Sequence, residues 1–352
     1  MKRGLLRTAG ILLCIVLALA AAALALFWNE LGSLSSLKKL DGYGMFQMTY
    51  YGEYGFEEFL KTGAKKDSDI EAFVTKRLLK GIPIDLGVTG DGCTAFVTRN
   101  ENGEVLYARN FDFSYAPSLQ VFTKPDHGYA SVSTVNLSFA GYSEERLPDG
   151  MRLQSFLTLA APFLPFDGMN EKGLAIALLA VPEAQLNFEE EKVTLNTTTA
   201  IRLVLDHAAT VEEAVELLKH YNIYFSADVT CHYLIADASG KSVIVEFWDG
   251  ALQTVTTEEP YQIASNFIAY QDLNIGEGYT EFERYDAVED AIRAGNGALS
   301  IEQAAGVLKD VGIRDGLQDK LQWSVVYNLS TLEGTIFAHR NTENQIAFAL
   351  RP

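Results

Sequence analysis

Cysteine and histidine are scarce in this sequence. Only Cys14, Cys93 and Cys231 occur among 352 residues, so no dense disulfide framework is present, although Cys93 and Cys231 are able to pair. The five histidines show no His-x-x-x-His spacing, and the cysteines form no closely spaced pair of the kind that binds zinc. We therefore expect neither a metal ion nor a cofactor.

Positive charge is also in short supply. The chain carries 28 Lys and Arg against 46 Asp and Glu, which gives a formal net charge of -18. A strongly acidic chain repels phosphate backbones, so nucleic-acid binding is not expected. No low-complexity run occurs, and hydrophobic residues make up 48% of the chain, which is enough for one large core or two modest ones.

An apolar leader opens the sequence. Basic residues within the first seven positions precede an almost unbroken apolar run from Ala9 to Trp28. A positive flank before about 20 apolar residues is typical of a signal peptide or a signal anchor. Ala23-Leu-Ala25 resembles a cleavage site, but the length of the run and the Phe27-Trp28 pair favour an uncleaved anchor. We expect residues 1–29 to hold the protein on a membrane and to place the rest outside the cytoplasm.

A helical pattern follows the leader. Apolar residues recur at helical spacing in Phe56–Leu60 and in Ile70–Leu79. The glycine-rich stretch Gly87–Gly92 then interrupts the pattern and indicates a boundary. We interpret residues 30–92 as a helical propiece or small subunit, separate from the main domain of residues 93–352.

After Gly92 the pattern becomes typical of strands. Two alternating segments, Thr94–Thr98 and Glu104–Arg109, flank Asn102-Gly103, which predicts a β-hairpin. Further strands are predicted at residues 173–179, 233–237, 242–247, 253–256, 262–264, 324–329, 335–339 and 345–350. Helices are predicted at residues 197–207, 210–218 and 282–293, and from Ser300 onward. Capping boxes at Thr210–Glu213 and Ser300–Gln303 mark the starts of the second and the last of these helices. Hairpins with helices between them predict an α+β domain in which helices cover antiparallel sheets.

The hairpin brings together residues with complementary chemistry. Its first strand begins at Cys93, and its second strand ends at Arg109 and Asp112. Antiparallel pairing returns the end of the second strand to the start of the first, so these three side chains are expected to meet. A guanidinium stabilises a thiolate, and a carboxylate orients a neighbouring amine. On spacing alone, an ordinary hairpin with a surface Arg–Asp pair is the favoured explanation of the pattern.

Several segments of the chain resemble the choloylglycine hydrolase family, which includes bile salt hydrolases, penicillin V acylases and N-acylethanolamine acid amidase. The resemblance runs from about residue 93 to 350. It rests on four segments in the same order as in the family: Cys93-Thr94 with Arg109-Asn-Phe-Asp112, Asp167-Gly-Met-Asn-Glu-Lys-Gly-Leu174, Ile263-Ala-Ser-Asn266 and Glu283-Arg284-Tyr285. It implies a four-layer αββα sandwich of the N-terminal-nucleophile (Ntn) hydrolases and a linear amide hydrolase, with residues 93–352 as its catalytic domain.

The resemblance also implies a role for each matching residue. Cys93 would be the nucleophile, and its own freed α-amine would be the general base. Asp112 would orient that amine, while Arg109 would assist the thiolate and position the substrate. The remaining site residues would be Asn170 and Asn266, which would help to stabilise the oxyanion, and Arg284, which would complete the polar site.

The proton chemistry requires a cut in the chain. An α-amine has a pKa of about 7.7–8.0 and a thiol a pKa of about 8.5, so the amine can accept the thiol proton near neutral pH. The nitrogen of Cys93 is no base while Gly92 acylates it, so we expect autoproteolysis of the Gly92–Cys93 bond. Bile salt hydrolases need only lose a methionine, and this chain is closer to family members with a longer propiece. Glycine at position 92 suits a strained backbone at the cut.

Other functions stay open. The chain could be an inactive membrane-anchored binding protein on the same fold, or an acyltransferase that uses the same acyl-enzyme. A papain-like enzyme with Cys231 and a distant histidine is a further alternative, although a nucleophile in mid-strand is poorly placed. The expected partners are a small-molecule N-acyl amide and, through the N-terminal helix, a membrane. The identity of the acyl amide and a homo-oligomeric state stay open.

Overall fold

A computed structural model describes residues 11–15, 17–18, 25–84, 92–149, 153–276 and 279–350. Part of the expected signal-peptide cleavage site, at Ala23-Leu24, lies outside the described residues, as does most of the glycine-rich boundary before Gly92. Among the helices of the described ranges, none combines the length and the apolar composition that crossing a membrane requires.

Seven α-helices are described, with the following bounds: α1 Trp28–Ser36, α2 Phe56–Phe59, α3 Asp67–Arg77, α4 Thr197–His207, α5 Val211–Lys219, α6 Tyr279–Ala294 and α7 Ile301–Val311. Short 3-10 helical segments lie at Leu137–Ala140, Leu153–Phe163, Ser226–Asp228 and Tyr270–Asp272.

The strands of the described residues belong mostly to two large sheets. The larger sheet has nine strands: β1 Lys38–Lys39, β2 Met45–Thr49, β5 Ser118–Thr123, β6 Ser131–Asn136, β7 Pro165–Asn170, β8 Ala175–Ala180, β11 Cys231–Ala236, β12 Ser242–Trp248 and β13 Ala251–Val255, in that spatial order. The smaller sheet has six, in the order β14 Gln262–Ala264, β3 Gly92–Arg99, β4 Val105–Asp112, β19 Leu321–Asn328, β20 Glu333–Ala338 and β21 Ile346–Ala349. Short pairs complete the set: β9 Thr194–Asn196 with β10 Asn222–Tyr224, β15 Phe267–Ile268 with β16 Ile275–Gly276, and β17 Arg314–Asp315 with β18 Gln318–Asp319.

Pairing in both large sheets is antiparallel, except that β2 runs parallel to β5. The expected hairpin of β3 and β4 forms, but its loop spans residues 100–104 and is longer than the Asn102-Gly103 pair alone. Gly103 supplies the left-handed backbone that this loop requires, with φ at 79°.

The two sheets face each other between two layers of helices. Helices α4 and α5 pack on the outer side of the nine-stranded sheet, and α6 and α7 pack on the outer side of the six-stranded sheet. A compact apolar core, which includes Phe96, Leu106, Ile292 and Leu308, fills the space under α6 and α7. A larger core fills the space between the sheets and under α4. The expectation of an α+β fold with antiparallel sheets covered by helices is confirmed.

The N-terminal segment is part of the nine-stranded sheet. The predicted helices of this segment are present as α2 and α3, but the sequence pattern did not predict strands β1 and β2. Strand β2 lies between β1 and β5, and Met45, Phe46 and Met48 are almost fully buried in the core. Strand β2 is only five residues long, and its alternation of apolar and polar residues is limited to Phe46–Thr49, which is a weak signal for a strand.

Candidate active site

The β3–β4 hairpin places Arg109 beside Cys93, near the start of β3. Cys93 pairs with Phe111, and Ala95 pairs with Arg109, so the side chains of Cys93 and Arg109 lie on the same face of the sheet. The Arg109 guanidinium donates a hydrogen bond from Nη2 to Cys93 Sγ over 3.5 Å. Only 2% of Cys93 is exposed, so the thiol lies between the two sheets.

Arg109 is held from several sides. Its Nη1 lies 3.1 Å from Asp167 Oδ2, and its Nη2 also donates to the carbonyl of Leu178 over 3.3 Å. The guanidinium carbon lies 5.0 Å from the ring centre of Phe111 and 5.2 Å from that of Trp323. Arg109 is fully buried, so in the intact chain it contacts the thiol and has no surface exposed for the expected positioning of a substrate.

A second group of side chains surrounds the backbone of Cys93. The Cys93 N–H donates to Asn266 Oδ1 over 2.8 Å. Arg284 donates from Nη1 to the carbonyl of Cys93 over 2.8 Å and from Nη2 to Asn266 Oδ1 over 2.7 Å. The amide of Asn266 donates in turn to the carbonyl of Ala180 over 2.6 Å. Asn266 therefore accepts a hydrogen bond from the backbone N–H of Cys93. The expected oxyanion role did not include this contact.

Asp112 lies directly across the hairpin from Gly92 and is fully buried. Its Oδ1 accepts the backbone N–H of Ile313 over 2.8 Å, and Arg284 Nη1 lies 3.8 Å from its Oδ2. This second oxygen has no hydrogen-bond donor, which is costly for a buried carboxylate. An unused acceptor therefore lies one residue from the nitrogen of Cys93.

Burial dominates the electrostatics of these groups. It raises the pKa of the Cys93 thiol above 9.0, while Arg109, Arg284 and the backbone N–H of Ala180 lower it and Asp112 raises it further. Burial also raises the pKa of Asp112 from 3.8 to about 6, against the opposing effect of Arg284. In the intact chain the thiol is therefore protonated at neutral pH, although cationic groups that favour its thiolate are in place.

Asn170 does not join this group. Its side-chain amide donates to the carbonyls of Leu205 and Ala208, at the end of α4, and its Oδ1 accepts backbone N–H groups of the β7–β8 turn. The turn precedes β8, whereas Leu178 and Ala180, which contact the site, lie toward the other end of that strand. Asn170 thus binds together a turn and a helix end, and the geometry gives no support to its expected oxyanion role.

Cys231 is buried on the face of the nine-stranded sheet that α4 covers, and this face points away from the six-stranded sheet that carries Cys93. Tyr233, two residues along β11 and on the same face, donates from its hydroxyl to the carbonyl of Thr197 at the start of α4. Burial raises the pKa of the Cys231 thiol to about 12. His232 faces away from this thiol and lies 3.0 Å from Glu246, so the structure does not favour Cys231 as a nucleophile.

The space beside Gly92 leaves little room for a side chain. The expected strain of the backbone at this position stays a prediction, because the preceding residue lies outside the described residues. A Cβ at this position would lie 2.4 Å from Ile313 Cδ1, a distance that real Cβ atoms essentially never show, and 3.3 Å from Asn266 Oδ1, which is tighter than most real Cβ contacts. A glycine here lets the chain pass between Ile313 and Asn266.

Sequence reasoning missed four groups of this site. Thr94 accepts Arg284 Nη1 at its hydroxyl over 2.8 Å, and Ile313, Ala180 and Asp167 make the contacts described above. Two of the four carried a signal, because Thr94 and Asp167 stand in segments on which the resemblance rests. Within the described part of the chain, no group of three or more His, Cys, Asp or Glu side chains is arranged to hold a metal ion.

Comparison with known families places this geometry in context. Residues 93–291, more than half of the chain, match the model of the linear amide C-N hydrolases, choloylglycine hydrolase family. The chain belongs to the choloylglycine hydrolase family. The match begins at Cys93 and includes all six predicted site residues, because the other five, Arg109, Asp112, Asn170, Asn266 and Arg284, lie within the same range.

Two relatives are similar to parts of the chain. A bile salt hydrolase/transferase of Clostridium perfringens is 29% identical over 164 residues, which cover 44% of this chain and 47% of the relative. A penicillin V acylase of Pectobacterium atrosepticum is 32% identical over 111 residues, which cover 28% of this chain and 29% of that protein. The matched stretches thus span about half or less of these relatives.

Solved structures share the fold. A conjugated bile acid hydrolase mutant from Clostridium perfringens has a TM-score of 0.54 and 18% identity, and the likeness covers 73% of this chain and 92% of that one. A penicillin V acylase from Agrobacterium tumefaciens has a TM-score of 0.51 and 20% identity, with coverage of 70% and 83%. At these identities the likeness establishes a common α+β fold with antiparallel sheets and nothing about substrate.

Proposed function

We propose that this protein hydrolyses linear amide bonds of small N-acyl compounds, with Cys93 as an N-terminal nucleophile formed by autoproteolysis at Gly92–Cys93. The observation that carries the proposal is the arrangement around one residue. Arg109 contacts the sulfur of Cys93, Asn266 accepts from its nitrogen, and Asp112 presents an unused buried oxygen at the neighbouring position.

In the proposed cycle, the freed α-amine of Cys93 takes the thiol proton, and the thiolate attacks the carbonyl carbon of the amide. Hydrogen-bond donors stabilise the oxyanion, among them the backbone N–H of Ala180, which is directed at the sulfur, and the second amide hydrogen of Asn266. The amine then gives its proton to the leaving nitrogen. Water hydrolyses the thioester, releases the acid and restores the thiol.

Cleavage would create a hydrogen-bond donor for Asp112 Oδ2, which has none in the uncut chain. An α-ammonium group at Cys93 has three N–H donors, whereas the amide it replaces has one. We propose that one donor keeps the bond to Asn266 Oδ1 and that another fills the vacant Oδ2 of Asp112. Arg284 stays bonded to Asn266 and to the carbonyl of Cys93, and so fixes both ends of the nucleophile residue.

We expect the uncut chain to be inactive. Cys93 is 2% exposed, and burial raises the pKa of its thiol, so the uncut protein offers substrate neither access nor a thiolate. Removal of the bond to Gly92 provides the base and frees the chain that precedes the nucleophile. We therefore expect the cut form to be the active one.

We propose that residues 93–352 form the catalytic domain and that residues 30–92 stay with it as a small subunit after the cut. Three contacts support this. Strand β2 pairs with β5 inside the large sheet, Tyr54 donates to Asp206 over 2.7 Å, and Asp67 accepts Ser226 Oγ over 2.7 Å. A segment that supplies strands and core side chains leaves apolar surface exposed if it departs.

We also propose that the leader, residues 1–29, anchors the enzyme outside the cytoplasm. Its basic flank and long apolar run support this placement. Fractionation of cells tests it, because an anchored protein stays with membranes after an alkaline wash. Recovery of the full-length chain in the soluble fraction would contradict it.

A screen of N-acyl amides tests the proposed function. Purified protein is incubated with N-acyl amino acids, penicillin V, conjugated bile acids and N-acyl-homoserine lactones, and the released amine is measured. We expect at least one substrate to be cleaved by the wild type and by Cys231→Ala, and none by Cys93→Ala. If Cys231→Ala loses activity and Cys93→Ala keeps it, Cys231 is favoured as the nucleophile. A wild type that cleaves no compound of the panel would favour a binding protein.

Acyl transfer is a second candidate, because a similar relative carries the name bile salt hydrolase/transferase. The same thioester would pass its acyl group to an amine in place of water, with loss of one proton from that amine. Adding free amino acids to a reaction tests this, since a transferase forms a new N-acyl product in proportion to the amine. A hydrolase releases only the free acid.

A further inference from the structure

Asp167 is a fully buried carboxylate that the proposed mechanism does not use. It lies on β7, in the sheet opposite the β3–β4 hairpin, and its Oδ2 is 3.1 Å from Arg109 Nη1. Arg109 Nη1 and Nε have no aligned hydrogen bond, so the contact with Asp167 is a charge contact across the gap between the sheets. Because the guanidinium is planar, the contact of Nη1 with Asp167 also fixes the position of Nη2. This nitrogen faces the carbonyl of Leu178 and the sulfur of Cys93.

Asp167 is itself fixed by two donors from one strand. Trp323 Nε1 donates to its Oδ2 over 3.1 Å, and the Tyr327 hydroxyl donates to its Oδ1 over 2.7 Å. Both residues lie on β19, which pairs directly with β4, the strand that carries Arg109. The carboxylate therefore has a defined orientation before it meets the guanidinium.

We propose, resting on the function proposed above, that Asp167 is a positioning residue that sets Arg109 Nη2 against the nucleophilic sulfur. A guanidinium suits this task, because its planar fork serves Asp167 with one nitrogen and the thiol with the other. The charge of Asp167 also compensates that of a buried Arg109, which would otherwise face the apolar space between the sheets.

A second buried pair provides a matched control. Arg202 Nη1 lies 3.0 Å from Asp206 Oδ1, and both residues are buried on the side of the same sheet that α4 covers. Neither residue has a hydrogen bond or an ion pair with Cys93. Asp206→Asn therefore removes a buried carboxylate from an Arg–Asp pair without touching the proposed site.

Two readouts separate positioning from mere stability. The pH dependence of iodoacetamide alkylation of Cys93, read by mass in a Cys14→Ser/Cys231→Ala background, reports the thiol pKa. The values of kcat and KM for the substrate found in the screen report catalysis. Asp167→Asn is compared with Tyr327→Phe, which keeps the charge and removes one bond to Asp167, so a soluble variant is available if the first does not fold.

The two physical effects of removing Asp167 act in opposite directions. If Arg109 stayed in place, loss of the neighbouring negative charge would lower the thiol pKa. If Arg109 loses its position, the thiolate loses its cation and the thiol pKa rises. We expect the rise in Asp167→Asn, together with a fall in kcat of about 10²-fold and little change in KM, in line with the cost of misplaced catalytic groups. Tyr327→Phe should show a smaller change in the same direction, and Asp206→Asn none.

A double-mutant cycle with Arg109→Lys completes the test. If Asp167 acts through Arg109, the double variant loses no more activity than Arg109→Lys alone. Additive losses, or an unchanged or lowered thiol pKa in both Asp167→Asn and Tyr327→Phe, would overturn the inference. An inactive wild type refutes the proposed function instead, and the alkylation profile still decides whether Asp167 governs the thiol.

Discussion

The absence of a side chain at Gly92 affects the packing beside the nucleophile. The chain passes between Ile313 and Asn266 at this residue, where a Cβ would lie 2.4 Å from Ile313 Cδ1. Any larger residue must displace the Cδ1 methyl group at the end of the Ile313 side chain, and the backbone N–H of the same residue donates to Asp112. Ile313 therefore lies next to both the bond that we propose is cut and the carboxylate of Asp112.

Gly92→Ala should slow self-cleavage by about 10²-fold, because a displaced backbone moves the scissile bond relative to the sulfur. Ile313→Ala removes the clashing methyl group, so Gly92→Ala/Ile313→Ala should recover much of the rate. The conversion of precursor to cut protein is followed by gel electrophoresis. Equal cleavage in wild type and Gly92→Ala, or no recovery in the double variant, would contradict the packing explanation.

Asp112 should make the stability of the uncut chain depend on pH. Burial raises its pKa from 3.8 to about 6, so the folded chain binds this proton more tightly than the unfolded chain does. The free energy of unfolding should therefore decrease as pH rises between these values, by at most about 3 kcal/mol for this group. Urea unfolding of Cys93→Ala, which cannot be cut, measures the change.

The control for this effect is Cys93→Ala/Asp112→Asn, which keeps all other carboxylates. Its stability should decrease less over the same pH range, and the difference between the two variants isolates Asp112. A difference of the opposite sign would mean that the charge of Arg284, 3.8 Å from Asp112, outweighs the effect of burial on the pKa of Asp112.

The sequence predicted the contact between Cys93 and Arg109 because hairpin pairing fixes which residues meet across two strands. The sequence did not distinguish the roles of Asp167 and Asn170, which lie three residues apart in one segment but have different partners. Asn170 completes a turn and a helix end, whereas Asp167 reaches across the gap between the sheets. That distinction depends on the packing of distant strands, which no local pattern contains.

At the scale of elements, capping residues were readable. The Ser300–Gln303 capping box of α7 is confirmed, with both reciprocal hydrogen bonds present. Thr210 caps α5 as predicted, but Glu213 bonds the N–H of Ala209 and not that of Thr210, so only half of the predicted box forms. Strong local hydrogen bonding explains why these helix starts can be found without tertiary information.

Strand β6 shows why other elements were missed. Its sequence, Ser-Val-Ser-Thr-Val-Asn, is polar and resembles a loop, yet all six residues are buried. The hydroxyls of Ser131 and Ser133 accept hydrogen bonds from Arg202 on α4, which satisfies these polar groups inside the protein. A buried arginine far along the chain thus makes a polar segment suitable for the core.

The β7–β8 turn gives a prediction at this scale. Asn170→Ala should lower the free energy of unfolding by about 1–3 kcal/mol, because buried carbonyls of α4 and N–H groups of the turn lose their partner. Its effect on the alkylation of Cys93 should be small. Asn266→Ala, by contrast, should abolish amide hydrolysis, because Asn266 contacts the nitrogen of Cys93.

Urea unfolding and kcat are measured on both variants. Loss of catalysis in a folded Asn170→Ala protein, at a level comparable with Asn266→Ala, would restore Asn170 to the active site.

For the whole molecule, the position of the N-terminal segment matters most. It contributes strand β2 and a set of buried aromatic and aliphatic side chains to the main core. Strands β1 and β2 escaped prediction because the partner of β2 is β5, a strand that lies about 70 residues further along the chain and was itself not predicted. Long-range pairing of this kind leaves no local signal.

After cleavage, residues 30–92 should remain bound to the catalytic domain. A tag on the N-terminal fragment should retain the C-terminal fragment on a column until denaturant is added. Tyr54→Phe, which removes the hydrogen bond to Asp206, should lower the denaturant concentration that separates the fragments. Release of the C-terminal fragment in plain buffer would contradict this picture.

The central claim is that the working protein begins a chain at Cys93. N-terminal sequencing together with intact-mass measurement of the purified protein tests it most directly. The account predicts two fragments in the wild type, one of which starts at Cys93, and a single uncut chain in Cys93→Ala. An amide hydrolase that remains in one piece, or a new terminus at any other residue, would contradict it.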